Sequence, residues 1–160
     1  MARRPAVHEM ITSRKVPKPT GPYPHGVRVS EPGRMLFVSG QLPAQTPNGA
    51  MFTGEIRKQA EIAIGNVRNI ILDAGFTMDE VVQVRIYVTD LKHFERVDDV
   101  YQKQFGSQAL PARSLVQVAK LPQEAGILVE AQAVKRGEPA MAAGPLPSDQ
   151  EMYDPEGGMG

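Results

Sequence analysis

EIRKQAEIAIGNVRNIILDAGFTMDEVVQVRIYVT, residues 55–89, changes its period once, and that change decides the fold class. From Glu55 to Ala74 the apolar side chains Ile56, Ala60, Ala63, Ile64, Val67, Ile70, Ile71 and Ala74 recur at helical spacing, with Arg57, Lys58, Glu61, Arg68 and Asn69 on the other face. This predicts a helix lying on a core, with Gly75 placed as its stop. Gly65, inside the helix, is expected to let it lie close to a sheet. Thr77-Met-Asp-Glu80 has the pattern of a capping box for one short turn. From Val81 onward the period falls to two. Val82, Val84, Ile86 and Val88 point one way, and Gln83, Arg85, Tyr87 and Thr89 the other, as in a half-buried strand with a polar second face.

Downstream, Asp90 is placed to cap a second helix whose apolar stripe is Phe94, Val97, Tyr101 and Phe105 and whose end is Gly106. Pro111 precedes the alternating run Ala112–Ala119. The stretch 121–126 turns the chain, and Ile127–Lys135 reads as the last strand. Residues 137–160 carry Gly- and Pro-rich breaks and little to bury, so a disordered tail is expected after a single domain over 1–136.

Upstream, residues 6–12 read as a first edge strand. Pro17, Pro19, Pro22 and Pro24 exclude helix and central strand, and with Gly21 and Gly26 they shape a loop over Thr20–His25. Gly26–Ser30 and Met35–Gly40 flank Glu31-Pro-Gly-Arg34, which predicts a β-hairpin. Residues 42–53 are expected to form a loop or a short hairpin tip. The order of strands, long helix, strand, helix and two strands predicts an α+β layer: a mostly antiparallel sheet covered by two helices on one face. The uncovered face, with Gln83, Arg85 and Tyr87, calls for water or another subunit, and a closed cyclic oligomer is the economical answer.

Composition narrows the function classes. Eighteen basic and eighteen acidic residues cancel, which argues against a dedicated nucleic-acid binder despite the cluster Arg3, Arg4, Arg14, Lys15 and Lys18. There is no cysteine, hence no disulfide, thiolate metal site or Cys nucleophile. No apolar run approaches the ~18 residues of a membrane span, and the N-terminus lacks the apolar core of a secretory signal, so a cytoplasmic location is expected. His8, His25 and His93 lack metal-ligand spacing.

Five residues stand out on chemical grounds. Arg113 follows Pro111 at the mouth of a strand, and a guanidinium there offers a planar fork for a carboxylate; the plain alternative is an exposed surface arginine. Tyr23, in the Pro-rich loop, can wall a pocket with its ring or simply pack on the hairpin. His25, beside it, is either an acid or base at a pocket or loop surface. Ser39 and Gly40 end a strand, where a hydroxyl and bare backbone can face a small anion or water, or merely pack tightly.

Several segments stand together: Gly-Pro-Tyr-Pro-His-Gly at 21–26, Leu-Phe-Val-Ser-Gly-Gln at 36–41, Gln59-Ala60 with Asn66, Ile-Tyr-Val-Thr-Asp-Leu at 86–91, Val-Asp-Asp-Val-Tyr at 97–101, Pro-Ala-Arg-Ser at 111–114 and Leu-Pro at 121–122. In order and spacing they resemble the reactive-intermediate deaminase (Rid) family, also called YjgF or L-PSP endoribonuclease, over roughly residues 8 to 136. The resemblance implies a chorismate-mutase-like fold and a homotrimer. In it three sheets form a central barrel, with ligand sites at the subunit interfaces. It implies hydrolysis of enamine or imine derivatives of amino acids to 2-keto acids and ammonia, with no metal or cofactor, and with Arg113 holding the substrate carboxylate.

The chain also departs from the family pattern. The last strand often reads acid–apolar–acid–Ala, the first acid holding the attacking water; here Leu128 replaces that acid and Glu130 is the acid that remains. Glu130 shares a strand face with Leu128 and is placed either to substitute for it or to make a structural pair. Leu115 replaces a common cysteine, and Asp98 stands where asparagine is usual, adding negative charge near the site. These changes leave the carboxylate pocket intact but open a second possibility, a trimer that captures small carboxylates without turnover. Ribonuclease action, a third possibility within the family, finds no interleaved basic and aromatic surface to support it.

Overall fold

The long helix forms where its period placed it. In the computed structural model, which describes residues 8–45, 48–105 and 110–137, α1 spans Ile56–Asp73. Glu55 caps it, accepting a hydrogen bond from the Lys58 backbone N–H at 3.1 Å. Gly75, at φ 77°, takes the left-handed conformation that ends it. Ala60, Ala63, Ile64, Val67 and Ile71 are buried on its inner face. Gly65 is not on that face: a Cβ added there would meet nothing within 4 Å, so it does not serve close approach to the sheet.

Among the described residues, eight strands accompany two α-helices. They are β1 (His8–Ile11), β2 (Gly26–Val29), β3 (Pro32–Gln41), β4 (Ala44–Gln45), β5 (Ala50–Met51), β6 (Val81–Val88), β7 (Ala112–Gln117) and β8 (Ile127–Arg136), with α2 (Phe94–Phe105) between β6 and β7. The main sheet has the order β3-β8-β6-β7. β8 pairs antiparallel with β3 and β6, while β7 runs parallel to β6 because α2 carries the chain back across the sheet. The antiparallel expectation therefore holds for all but this edge pairing. Asp90 caps a 3-10 turn, Leu91–His93, that leads into α2, and β4 with β5 makes the short hairpin tip.

The predicted hairpin between 26–30 and 35–40 does not form. β2 pairs with β1 in a separate two-stranded ribbon, and β3 crosses to β8. Glu31, at φ 53°, turns the chain away from β2, and its carboxylate receives Arg136 from the end of β8 at 2.9 Å.

β6 alternates as read, except at its start. A register shift between Val81 and Gln83 adds Val81 to the core cluster beside Val84, Ile86 and Val88, while Val82 is buried, as expected, but outside that cluster. The inner face of the sheet packs on α1 and α2; Gln83, Arg85 and Tyr87 lie half-buried on the outer face. No described helix is long and apolar enough to cross a membrane. All but the first residue of the expected tail over 137–160, the start of the first predicted strand at residues 6–7 and the helix stop Gly106 lie outside the described residues.

Candidate functional site

Strand register sorts the candidate residues. Val38, Ala131, Val84 and Arg113 lie side by side across β3, β8, β6 and β7. Because Val84 faces the helices, so does Arg113, two residues before the inward Leu115. The next row holds Glu130, Arg85 and Ser114, on the outer face. Arg113 and Glu130 thus occupy opposite faces of one sheet, and a single protomer does not bring them together.

Around Arg113 the structure assembles a buried cluster of one carboxylate and three aromatic rings. The side chain is 1% exposed and its Nη1 is ion-paired with Asp98 Oδ1 of α2, itself 13% exposed, so bulk water screens the pair little. Asp98 Oδ2 accepts a second hydrogen bond from Gln102 Nε2 at 3.0 Å. The guanidinium carbon lies 4.6 Å from the ring centroid of Tyr101, 4.9 Å from Tyr23 and 5.9 Å from Phe94. Such ring faces hold a desolvated guanidinium with roughly 0.5–2 kcal/mol each. The Nε is buried with no hydrogen-bond partner among the described residues.

The Pro-rich loop forms the cover. Tyr23 is fixed by its N–H to the Gly21 carbonyl at 2.9 Å and by its hydroxyl against Thr20 Oγ1 at 3.1 Å. Gly21 is required here, because a Cβ would stand 2.8 Å from the Tyr23 ring and 3.0 Å from Arg113 Nη2. His25 Nδ1 accepts the Ser13 backbone N–H at 2.9 Å, which leaves its Nε2–H to donate to the Pro17 carbonyl at 2.8 Å. Both ring nitrogens are thereby committed to the loop.

A second cluster lies on the outer face. Glu130 Oε1 accepts Arg85 Nη1 at 3.1 Å and the Tyr87 hydroxyl at 3.0 Å. The hydrogen bond to this carboxylate is the main reason the Tyr87 hydroxyl is held above its usual ionisation range. Ser39, Phe37, Gln83, Arg85 and Glu130 line a shallow recess of about 240 Å³. Leu128 is half-buried on the same face, and Gly40 lies against it, so closely that an added Cβ would fall 2.5 Å from Leu128 Cδ2.

The predicted residues therefore fall into two groups: Arg113, Tyr23 and Asp98, with Leu115 packed against the core beside them, and Ser39, Gly40, Leu128 and Glu130. Sequence reasoning took Phe94 and Tyr101 for plain core. The signal that could have assigned these two rings is the place of Asp98 on the helix, i+4 from Phe94 and i−3 from Tyr101, which sets a carboxylate on an otherwise apolar stripe.

Residues 13–135 match the family model described as Endoribonuclease L-PSP. A RutC family protein of Pyrococcus abyssi is 38% identical over 127 residues, covering 79% of this chain and 97% of the relative. TdcF of Escherichia coli, provisionally assigned as a reactive intermediate deaminase, is 33% identical over 129 residues, covering 79% of this chain and 97% of its own. Its crystal structure with bound serine superposes with a TM-score of 0.61 at 34% identity, covering 79% of this chain and 98% of TdcF. The YjgF gene product of the same organism gives 0.61 at 34%, covering 80% and 99%.

Proposed function

The chain belongs to the L-PSP family, whose members also carry the names YjgF and Rid, and from that premise we propose that it hydrolyses reactive enamine or imine derivatives of amino acids, with Arg113 gripping the substrate carboxylate. The observation that carries this reading is a guanidinium withdrawn from solvent, walled by three aromatic rings, with its Nε donor unpartnered among the described residues. Asp98 takes Nη1, so the Nε and Nη2 edge remains for two parallel hydrogen bonds to a ligand carboxylate. The serine held by TdcF, a 2-amino acid, supports a ligand of this kind.

In the reaction, the enamine tautomerises to the imine and water adds across the carbon–nitrogen double bond. The resulting carbinolamine expels ammonia, leaving the 2-keto acid. Arg113 contributes orientation: with the carboxylate fixed, the adjacent imine carbon has one position.

The active assembly in this reading is a homotrimer of chorismate-mutase-like protomers whose sheets close into a barrel. Two features support it. Phe37 is 66% exposed and Met35 52% on the uncovered part of β3, apolar surface that a neighbouring sheet would bury. The candidate residues also lie on opposite faces of one sheet, and only a neighbouring protomer can bring the Ser39, Leu128 and Glu130 group to Arg113 on edge strand β7.

Leu128 favours a second reading, capture of small carboxylates without turnover. It has no group to orient water, and Glu130 is engaged by Arg85 and Tyr87. Ammonia release from a panel of imines generated by an amino-acid oxidase separates the two. The enzyme reading expects acceleration over spontaneous hydrolysis for at least one imine. No acceleration of any, with 2-ketobutyrate still binding in calorimetry, overturns it in favour of the binding reading.

A further inference from the structure

We propose that Asp98 makes the Arg113 pocket selective for carboxylates that bring their own positive charge, namely 2-iminium and 2-amino acids, over plain organic anions such as the 2-keto acid product. This rests on the reading of Arg113 as a carboxylate site.

The argument is one of charge. Arg113 and Asp98 form a pair of zero net charge with side chains 1% and 13% exposed. Among the described residues the guanidinium has Asp98 as its ion-pair partner, and the rings of Tyr23, Tyr101 and Phe94 lie against it. An incoming carboxylate on the Nε and Nη2 edge shares its one counter-ion with a second carboxylate already bound at Nη1. Two acids on one guanidinium sit roughly 5 Å apart, within the range where like charges oppose each other strongly out of water. An anion therefore leaves the pocket with an uncompensated negative charge, which is costly where screening is weak. A zwitterion does not, because its cationic nitrogen lies one carbon from the carboxylate and offsets the excess.

Asp98 is held in place for this task. Gln102 occupies its second oxygen at 3.0 Å, and α2 fixes its backbone beside the two rings that flank the guanidinium. The selectivity has a kinetic use: the substrate enters as a zwitterionic iminium acid and leaves as a pure anion, so the same charge arrangement that admits the one disfavours retention of the other.

The test is calorimetry on the full chain with L-2-aminobutyrate as zwitterion and 2-ketobutyrate as anion. The wild type is expected to prefer the zwitterion by roughly tenfold, and Asp98→Asn to tighten 2-ketobutyrate by roughly tenfold while changing L-2-aminobutyrate less. A loss of packing would weaken both ligands alike and would not invert their ratio. A wild type that prefers 2-ketobutyrate, or a ratio identical in the two proteins, overturns the role of Asp98 and leaves the carboxylate site standing. Binding of neither compound to either protein overturns the site itself, and this inference with it.

Discussion

Arg113 occupies the end of a row that is otherwise Val38, Ala131 and Val84, so the sheet layer that faces the helices carries a guanidinium at its edge. An isolated buried cation is untenable there, and Asp98 with three ring faces makes it tolerable. Tyr101 is the least expected member. Its ring lies over Arg113 and stacks on Phe105 at 4.6 Å, while its hydroxyl is buried with no partner among the described residues. Tyr101→Phe is therefore expected to raise stability by about 1 kcal/mol at neutral pH, measured by urea unfolding, since it deletes an unsatisfied group and keeps the ring. Burial also pushes the Tyr101 hydroxyl far above its ordinary range. A group whose folded pKa is raised stabilises the fold below its unfolded value, and that contribution is lost as pH rises past it. Unfolding free energy should therefore decline above about pH 10, and less steeply in Tyr101→Phe, with Tyr87 contributing a remainder of the same sign.

At the level of elements, sequence reading succeeded where local period and burial agree. α1 and β6 each declare an apolar face, and the tertiary structure only had to cover it. It failed where pairing depends on distant partners: nothing local in Gly26–Val29 says that it joins His8–Ile11, or that Pro32–Gln41 crosses to β8. The site was legible in the same uneven way. Arg113 and Tyr23 stand in recognisable segments, but the stripe of α2 reads as core because aromatic residues that pack on a guanidinium follow the same spacing as those that pack on valine. Gly65 was misplaced because a small residue in a helix has the same spelling whether it faces a sheet or open space. Its Cβ direction is empty, so Gly65→Ala is expected to gain about 1 kcal/mol in unfolding free energy, the helix-propensity difference, without change in ligand binding. A loss of stability would show that another surface covers this part of α1.

For the whole molecule, the uncovered sheet face sets the question of assembly. Arg85, Tyr87 and Glu130 form a polar network there, with Phe37 and Met35 exposed beside it and Val116 exposed on β7. Such a mixture suits an interface between copies related by rotation, with polar groups fixing register and apolar groups supplying affinity. Sedimentation equilibrium is expected to give three copies for the wild type. Phe37→Asp, which places a charge in the contact without touching the helix-side core, is expected to shift the population toward monomer. A monomeric wild type at micromolar concentration would remove the assembly from the account.

The claim common to the enzyme and binding readings is that the planar fork of Arg113, and not merely its charge, holds the ligand carboxylate. Arg113→Lys tests it, since lysine keeps a cation for Asp98 and loses the two parallel donors. Titration of L-2-aminobutyrate into the folded variant should show affinity reduced by roughly tenfold or more relative to the wild type. Equal affinity in the two proteins would contradict the account.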